Sequence, residues 1–255
     1  MRRVFSARGR AELEGFATGN VLLGFDYDGT LAPLAGHPDE ARLLPSTRAL
    51  LGEVTQRYPC AVVSGRARMD VLRHIDGLRL LRVVGNHGME GEARPRQGSR
   101  ETVEGWQRAL QPACGALPGV WIEDKTWSLA VHYRHATRRA AALKAVLAAV
   151  AVLPGARVVH GKQVVNVVPE SAANKGMAIE EICRELGCDS VIYVGDDVTD
   201  EDVFALSRPG SLLSIRVGRS SASSAGWFVD RQEDVDELLA TLLSYRPALR
   251  ATVRR

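Results

Sequence analysis

GFDYDGTLAP, residues 24–33, sets Asp26 and Asp28 one residue apart, directly after the apolar run Val21–Phe25. A short apolar run that ends in turn-forming residues reads as a buried strand. Two carboxylates at its end repel each other. At an effective dielectric near 20, a pair about 4 Å apart costs on the order of 4 kcal/mol. A calcium loop does not explain the pair. Counted from Asp26, its glycine position falls on Leu31 and its bidentate glutamate position on His37. A turn in which the aspartates only cap backbone groups remains open on this stretch alone.

Outward from this stretch, further apolar runs alternate with helical patterns. Pro59–Val63 leads to Ser64-Gly65-Arg66, Leu80–Val84 to GNHG (85–88), and Ser190–Val194 to GDDVTDEDVF (195–204), while Ser211–Val217 reads as one more strand. Continuous apolar strands between helices indicate a parallel sheet covered on both faces, an α/β fold. Such sheets bind ligands at the carboxyl ends of their strands, where all these motifs sit. Between them the pattern changes. Val120–Asp124 and Trp127–Arg134 read as a strand pair, Arg138–Leu153 as an alanine-rich helix, and ARVVH and QVVNVV as strands around a Gly161-Lys162 turn. Antiparallel strands within a parallel-sheet chain predict an inserted domain. The expected organisation is a core over 1–90 and 168–255 with an insertion at 91–167.

A second acidic pair, Asp196-Asp197, strengthens a metal reading. Four carboxylates at two strand ends call for a divalent cation, and hard oxygen ligands with open positions suit Mg²⁺. Lys175 follows the cap residue Asn174 at a helix N-terminus, where the macrodipole disfavours a cation. It is either a solvated first-turn lysine or a cation aimed at phosphate and carboxylates. Ser64 offers a hydroxyl at a third strand end, beside helix-opening N–H groups that suit an anion. Asp200 admits two readings: an acid favoured by the helix dipole with Thr199 as cap, or a support behind the metal.

Composition limits the alternatives. The chain has 255 residues, 45% hydrophobic and 25% charged, and a net charge of +3 that makes no case for nucleic acid. Arg2, Arg3, Arg8 and Arg10, and Arg246, Arg250, Arg254 and Arg255, are expected to be solvated termini. Cys60, Cys114, Cys183 and Cys188 show no metal-ligand spacing and demand no oxidising compartment. No run approaches a membrane span and no signal-peptide stretch opens the chain, so a cytoplasmic protein is expected.

Together DYDGT, VVSGR, NKG and GDDVTDEDVF resemble, in order, the four motifs of the haloacid dehalogenase superfamily of phosphatases. With GNHG, EDK and SLAVHYR they resemble the trehalose-6-phosphate phosphatase family, from about Val21 to Val217. The resemblance implies a Rossmann-like parallel-sheet core with an inserted smaller α/β cap, and hydrolysis of trehalose 6-phosphate to trehalose and phosphate. It implies Asp26 as nucleophile, Asp28 as acid and base, and Ser64 and Lys175 as stabilisers of the phosphoryl charge. Mg²⁺ would be held by Asp26, the Asp28 carbonyl and Asp196, with Asp197 and Asp200 behind. Arg66, Asn86, His87, Glu123, Lys125, His132, Arg134, Lys162 and Asn166 are the implied substrate-binding positions, His87 on the hinge side and not a catalyst. The expected partner is a small-molecule sugar phosphate, with a functional link to a trehalose-phosphate synthase. Where relatives carry glutamate in the last cap strand, this chain has Asn166. That leaves open sucrose phosphate or a glycosyl-phosphoglycerate as substrate and does not touch the core chemistry. A separate alternative, a non-catalytic sugar-phosphate-binding module regulating a glycosyltransferase, is disfavoured by the joint presence of Asp26, Asp28, Ser64, Lys175 and Asp196.

Overall fold

The computed structural model describes residues 1–36, 40–91, 100–206 and 210–247. In chain order the elements are β1 (Arg2–Arg3), α1 (Ala7–Ala17), β2 (Val21–Phe25), α2 (Pro45–Val54), β3 (Cys60–Val63), α3 (Arg68–His74), β4 (Arg82–Val84) and α4 (Arg100–Gly115). There follow β5 (Trp121–Asp124), β6 (Leu129–His132), α5 (Arg139–Val150), β7 (Ala156–Gly161), β8 (Val164–Pro169) and α6 (Lys175–Glu185). The chain closes with β9 (Ser190–Gly195), α7 (Glu201–Phe204), β10 (Leu212–Val217), β11 (Trp227–Val229) and α8 (Asp234–Tyr245). No helix among the described residues is long and apolar enough to cross a membrane.

Among the described residues, seven parallel strands form the larger sheet in the order β1-β11-β10-β9-β2-β3-β4. Its strands are apolar on both faces because both are covered. Leu23, Phe25, Val62 and Val194 pack with Leu13, Leu51 and Leu238 of α1, α2 and α8. Leu22, Ala61, Val191 and Tyr193 pack on the other face with Ile179, Ile182 and Cys183 of α6. Burying each of the larger aliphatic side chains stabilises by about 1.5–3 kcal/mol. Gly24 makes room for this packing: a Cβ there would lie 2.7 Å from the Tyr193 ring and 2.8 Å from Ile179. Phe25 pairs with Val62 on one side and Val194 on the other, so the ends of β2, β3 and β9 come together.

The second sheet is antiparallel, β5-β6-β8-β7. It is an inserted α/β cap. Leu129, Val131, Val165 and Val167 bury one face against α4 and α5, with Val103, Trp106, Leu110 and Val146. Helix α4 carries no motif, and Gly105, Pro112 and Gly115 blur its pattern, yet its apolar stripe supplies much of the cap core. Alternation sends Ala130, His132 and Asn166 to the opposite face.

One expectation is corrected. The β7–β8 turn is Lys162-Gln163, with Gly161 still paired to Val164, and Gln163 adopts φ 62°. The N-terminal arginines Arg2, Arg3 and Arg8 are exposed, as expected, and the segment is tied down: Arg2–Arg3 extends the sheet, Arg3 pairs with Asp230 and Arg10 with Glu237. Arg246 lies 4.3 Å from the Tyr58 ring centre and donates to the Arg57 carbonyl. His37, Arg250, Arg254 and Arg255 lie outside the described residues.

Candidate active site

Asp26 follows β2 and is buried, its N–H donating to the Val194 carbonyl at 2.9 Å. Asp196 follows the neighbouring β9. The chain leaves β2 in a tight turn at Gly29, φ 81°, where a Cβ would lie 2.2 Å from Asp196 Oδ2. Only glycine fits both the backbone and the close approach. Lys175, 1% exposed, opens α6 behind the Asn174 cap. Its Nζ lies 2.9 Å from Asp26 Oδ1 and 2.8 Å from Asp200 Oδ1. Burial favours the neutral amine, but Asp200 and Asp26 outweigh it and hold the ammonium above the ordinary lysine range.

Asp200 is the anchor of this cluster. Its Oδ1 accepts from Lys175 and from the Tyr193 hydroxyl at 2.7 Å, and its Oδ2 accepts the N–H groups of Asp196 and Asp197, both at 2.9 Å. Both oxygens are thereby saturated. The helical turn Val198–Asp200 is capped by Asp197 and not by Thr199, with Asp200 completing the capping box.

Asp26, Asp196 and Asp200 place a carboxylate oxygen each within 4.8 Å of one another. Burial above all, and then the mutual repulsion of the acids, raises Asp26 well above the usual carboxylate range against the pull of Lys175. Asp196 is raised chiefly by burial, opposed by Lys162, which pairs with its Oδ2. Asp196 Oδ1 is buried without a hydrogen-bond partner. An orphaned carboxylate oxygen beside a second acid fits a divalent cation. Asp200 has no oxygen left for it.

At the end of β3, the Arg66 guanidinium grips Asp28 by two bonds of 2.7 Å and donates to Asp70 at 2.7 Å. It lies 5.4 Å from the Tyr27 ring centre. Asp26, Asp28, Lys175 and Asp196 from the core line one cavity of about 170 Å³ with Glu123, His132, Lys162 and Asn166 from the cap.

The trehalose-phosphatase family model matches residues 24–233, most of the chain. The chain belongs to the trehalose-phosphatase family. "Probable trehalose-phosphate phosphatase 4" of Oryza sativa subsp. japonica is 30% identical over 245 residues, covering 89% of this chain and 66% of that protein. "Trehalose-phosphate phosphatase" of Mycolicibacterium paratuberculosis is 30% identical over 252 residues, covering 93% and 62%. The chain thus spans about two thirds of the length of these curated relatives. The C-terminal domain of C. albicans trehalose-6-phosphate phosphatase shares the fold, with a TM-score of 0.77 at 22% identity over 92% of this chain and 96% of that one.

Within this trehalose-phosphatase framework several expected contacts fall elsewhere. Ser64 and Asn86 do not reach the cavity lining. Ser64 is fully buried, and its Oγ accepts the Arg66 N–H. Asn86 clasps core to cap: its Nδ2 donates to Glu90 and to the Lys125 carbonyl, and its Oδ1 accepts from Ser128. Arg66 lines the cavity with its fork engaged by Asp28 and Asp70. Lys125 and Arg134 reach the cavity but also tie cap to core, through the carbonyls of Gly65 and of Ala35 and Gly36. His87 lines the cavity, packed against Gly65; burial, then Lys125 and Lys175, push it well below the ordinary histidine range. Asp70 and Tyr193 stand outside the motifs. The signals were the four-residue spacing from Arg66 and a lone phenol in an apolar strand.

Proposed function

We propose that this chain is a Mg²⁺-dependent phosphatase that hydrolyses trehalose 6-phosphate through an aspartyl-phosphate. What carries the reading is the buried Lys175 ammonium between Asp26 and Asp200, in one cleft with Asp28 and the orphaned oxygen of Asp196. Binding alone needs no such pairing of nucleophile and acid.

Asp26 and Asp196, with the Asp28 carbonyl that the family resemblance adds, would hold Mg²⁺, which when bound supplies charge neutralisation for the phosphoryl oxygens. Lys175 orients the Asp26 carboxylate and stabilises the charge on the transferring phosphoryl group. Asp26 attacks phosphorus, the bond to the sugar oxygen breaks, and protonated Asp28 gives that oxygen its proton. Asp28, now a carboxylate, takes a proton from water; the resulting oxygen attacks phosphorus, and phosphate leaves Asp26. Arg66, which grips both Asp28 oxygens in the resting site, has to release one of them while Asp28 carries the proton. The cap, taken as 91–167, excludes water and meets the sugar hydroxyls with Glu123, Lys162 and Asn166. The unpaired cysteines support a reducing compartment, the cytoplasm. A synthase of trehalose phosphate belongs to the same reading as supplier of substrate.

Phosphate release measured on trehalose 6-phosphate, sucrose 6-phosphate, glucosyl-phosphoglycerate and p-nitrophenyl phosphate, with and without Mg²⁺, tests this. The expected result is Mg²⁺-dependent turnover with trehalose 6-phosphate preferred, abolished in Asp26→Asn. Preference for another sugar would reassign the substrate. Binding without turnover would make the chain a regulatory module.

A further inference from the structure

Glu123 is expected to meet a sugar hydroxyl, yet a glutamate on a short edge strand has three free torsions. Two neighbours remove that freedom. His132 Nε2 lies 2.7 Å from Glu123 Oε2, leaving Oε1 for the cavity that Glu123 lines. The contact is diagonal across the β5–β6 pair, since Glu123 lies opposite Ala130 and His132 opposite Trp121. The small Ala130 leaves room for the reach. The His132 imidazole in turn stacks flat on the Trp121 indole, 4.5 Å between ring centres and 8° between planes. A second imidazole, His135, stacks on the same indole at 5.5 Å and 19°. Trp121 does not line the cavity. It also lies outside the apolar cap core, which Ile122 joins from the other face of the strand.

We propose that Trp121, acting through His132, is a positioning residue that fixes the Glu123 carboxylate as the acceptor for a sugar hydroxyl and so sets selectivity for a glycosyl phosphate over a simple phosphate ester. The proposal rests on the sugar-phosphatase reading. The indole denies the imidazole its ring rotation, the imidazole N–H holds one carboxylate oxygen, and the other oxygen is left aimed without an ordering cost on binding. Trp121, His132 and Glu123 make none of the hydrogen bonds that hold Asp26, Asp28 or Lys175.

Trp121→Leu and Trp121→Phe test it. In Trp121→Leu the KM for trehalose 6-phosphate should rise about 3- to 10-fold, the range that one aromatic stack accounts for. Its kcat, and kcat/KM on p-nitrophenyl phosphate, should stay within about twofold, and Trp121→Phe should recover most of the loss. An unchanged KM, equal losses on both substrates, or no rescue by phenylalanine overturns the proposal. His132→Gln, which keeps an N–H donor, should bind the sugar phosphate better than His132→Ala; equality counts against it. A readout free of turnover separates this from failure of the functional reading. In ¹⁵N-labelled wild-type protein His132 Nε2–H, held by Glu123, should give a protected imidazole resonance that Trp121→Leu loses. Absence of that signal in the wild type, or its persistence in the variant, overturns the positioning even if trehalose 6-phosphate proves not to be the substrate.

Discussion

Lys175 neutralises two buried acids at once, and that makes it structural as well as chemical. Removing one partner of a buried ion pair strands the other charge. Lys175→Met should lower the unfolding free energy by about 3–5 kcal/mol, read from urea denaturation at neutral pH. A loss below about 1 kcal/mol would mean that the carboxylates are not held by this ammonium. Glu123 permits a test by pH. Burial works to raise it, but the His132 bond and Lys125 outweigh burial and hold it below its ordinary 4.5. A depressed carboxylate stabilises the fold fully above its unfolded value, and that contribution fades as pH falls through the folded one. The stability difference between wild type and Glu123→Gln should therefore be level above pH 4.5 and shrink below it. A difference growing on acidification would reverse the assignment.

At the scale of elements, the α6 N-terminus places Lys175. Asn174 caps it, its side-chain oxygen accepting the Met177 N–H at 2.9 Å. Asn174→Ala should cost about 1 kcal/mol, visible as a lower denaturation midpoint at unchanged slope. The cap Asn174 and the strands β2, β3 and β9 were legible because each is a local pattern. Helix α4 was not, because Trp106 and Leu110 acquire their meaning only when β6 and β8 supply a surface to bury them. The β7–β8 turn moved by one residue for a similar reason: Gly161 looks like the turn, but the ladder to Val164 holds it in strand.

In the whole molecule, Lys175 joins Asp26 at the end of β2 to Asp200 in the turn after β9, while Lys162 of the cap is drawn to Asp196. A cation held by Asp26 and Asp196 would bind the folded chain and not the unfolded one. Mg²⁺ at about 100 times its Kd should then stabilise by about 2.7 kcal/mol, raising the thermal midpoint, with the rise lost in Asp196→Asn. An equal rise in that variant would place the cation elsewhere.

The sequence by itself determined the α/β class, the order of the motifs and the acids and lysine that line the cavity. Strand periodicity and turn chemistry are local, and an acidic pair at a strand end is costly wherever the strand lies. Only the tertiary structure decided which polar side chains face the cavity. Arg66, Asn86, Lys125 and Arg134 all read as sugar contacts; Asn86 stands outside the cavity lining, and the other three reach it while also bonding Asp28 or the carbonyls of Gly65 and Ala35, each far away in sequence. Trp121 read as nothing more than strand. A donor's partner is set by whichever acceptor packing brings within about 3 Å, and that distance is a property of the folded chain, absent from the order of its residues.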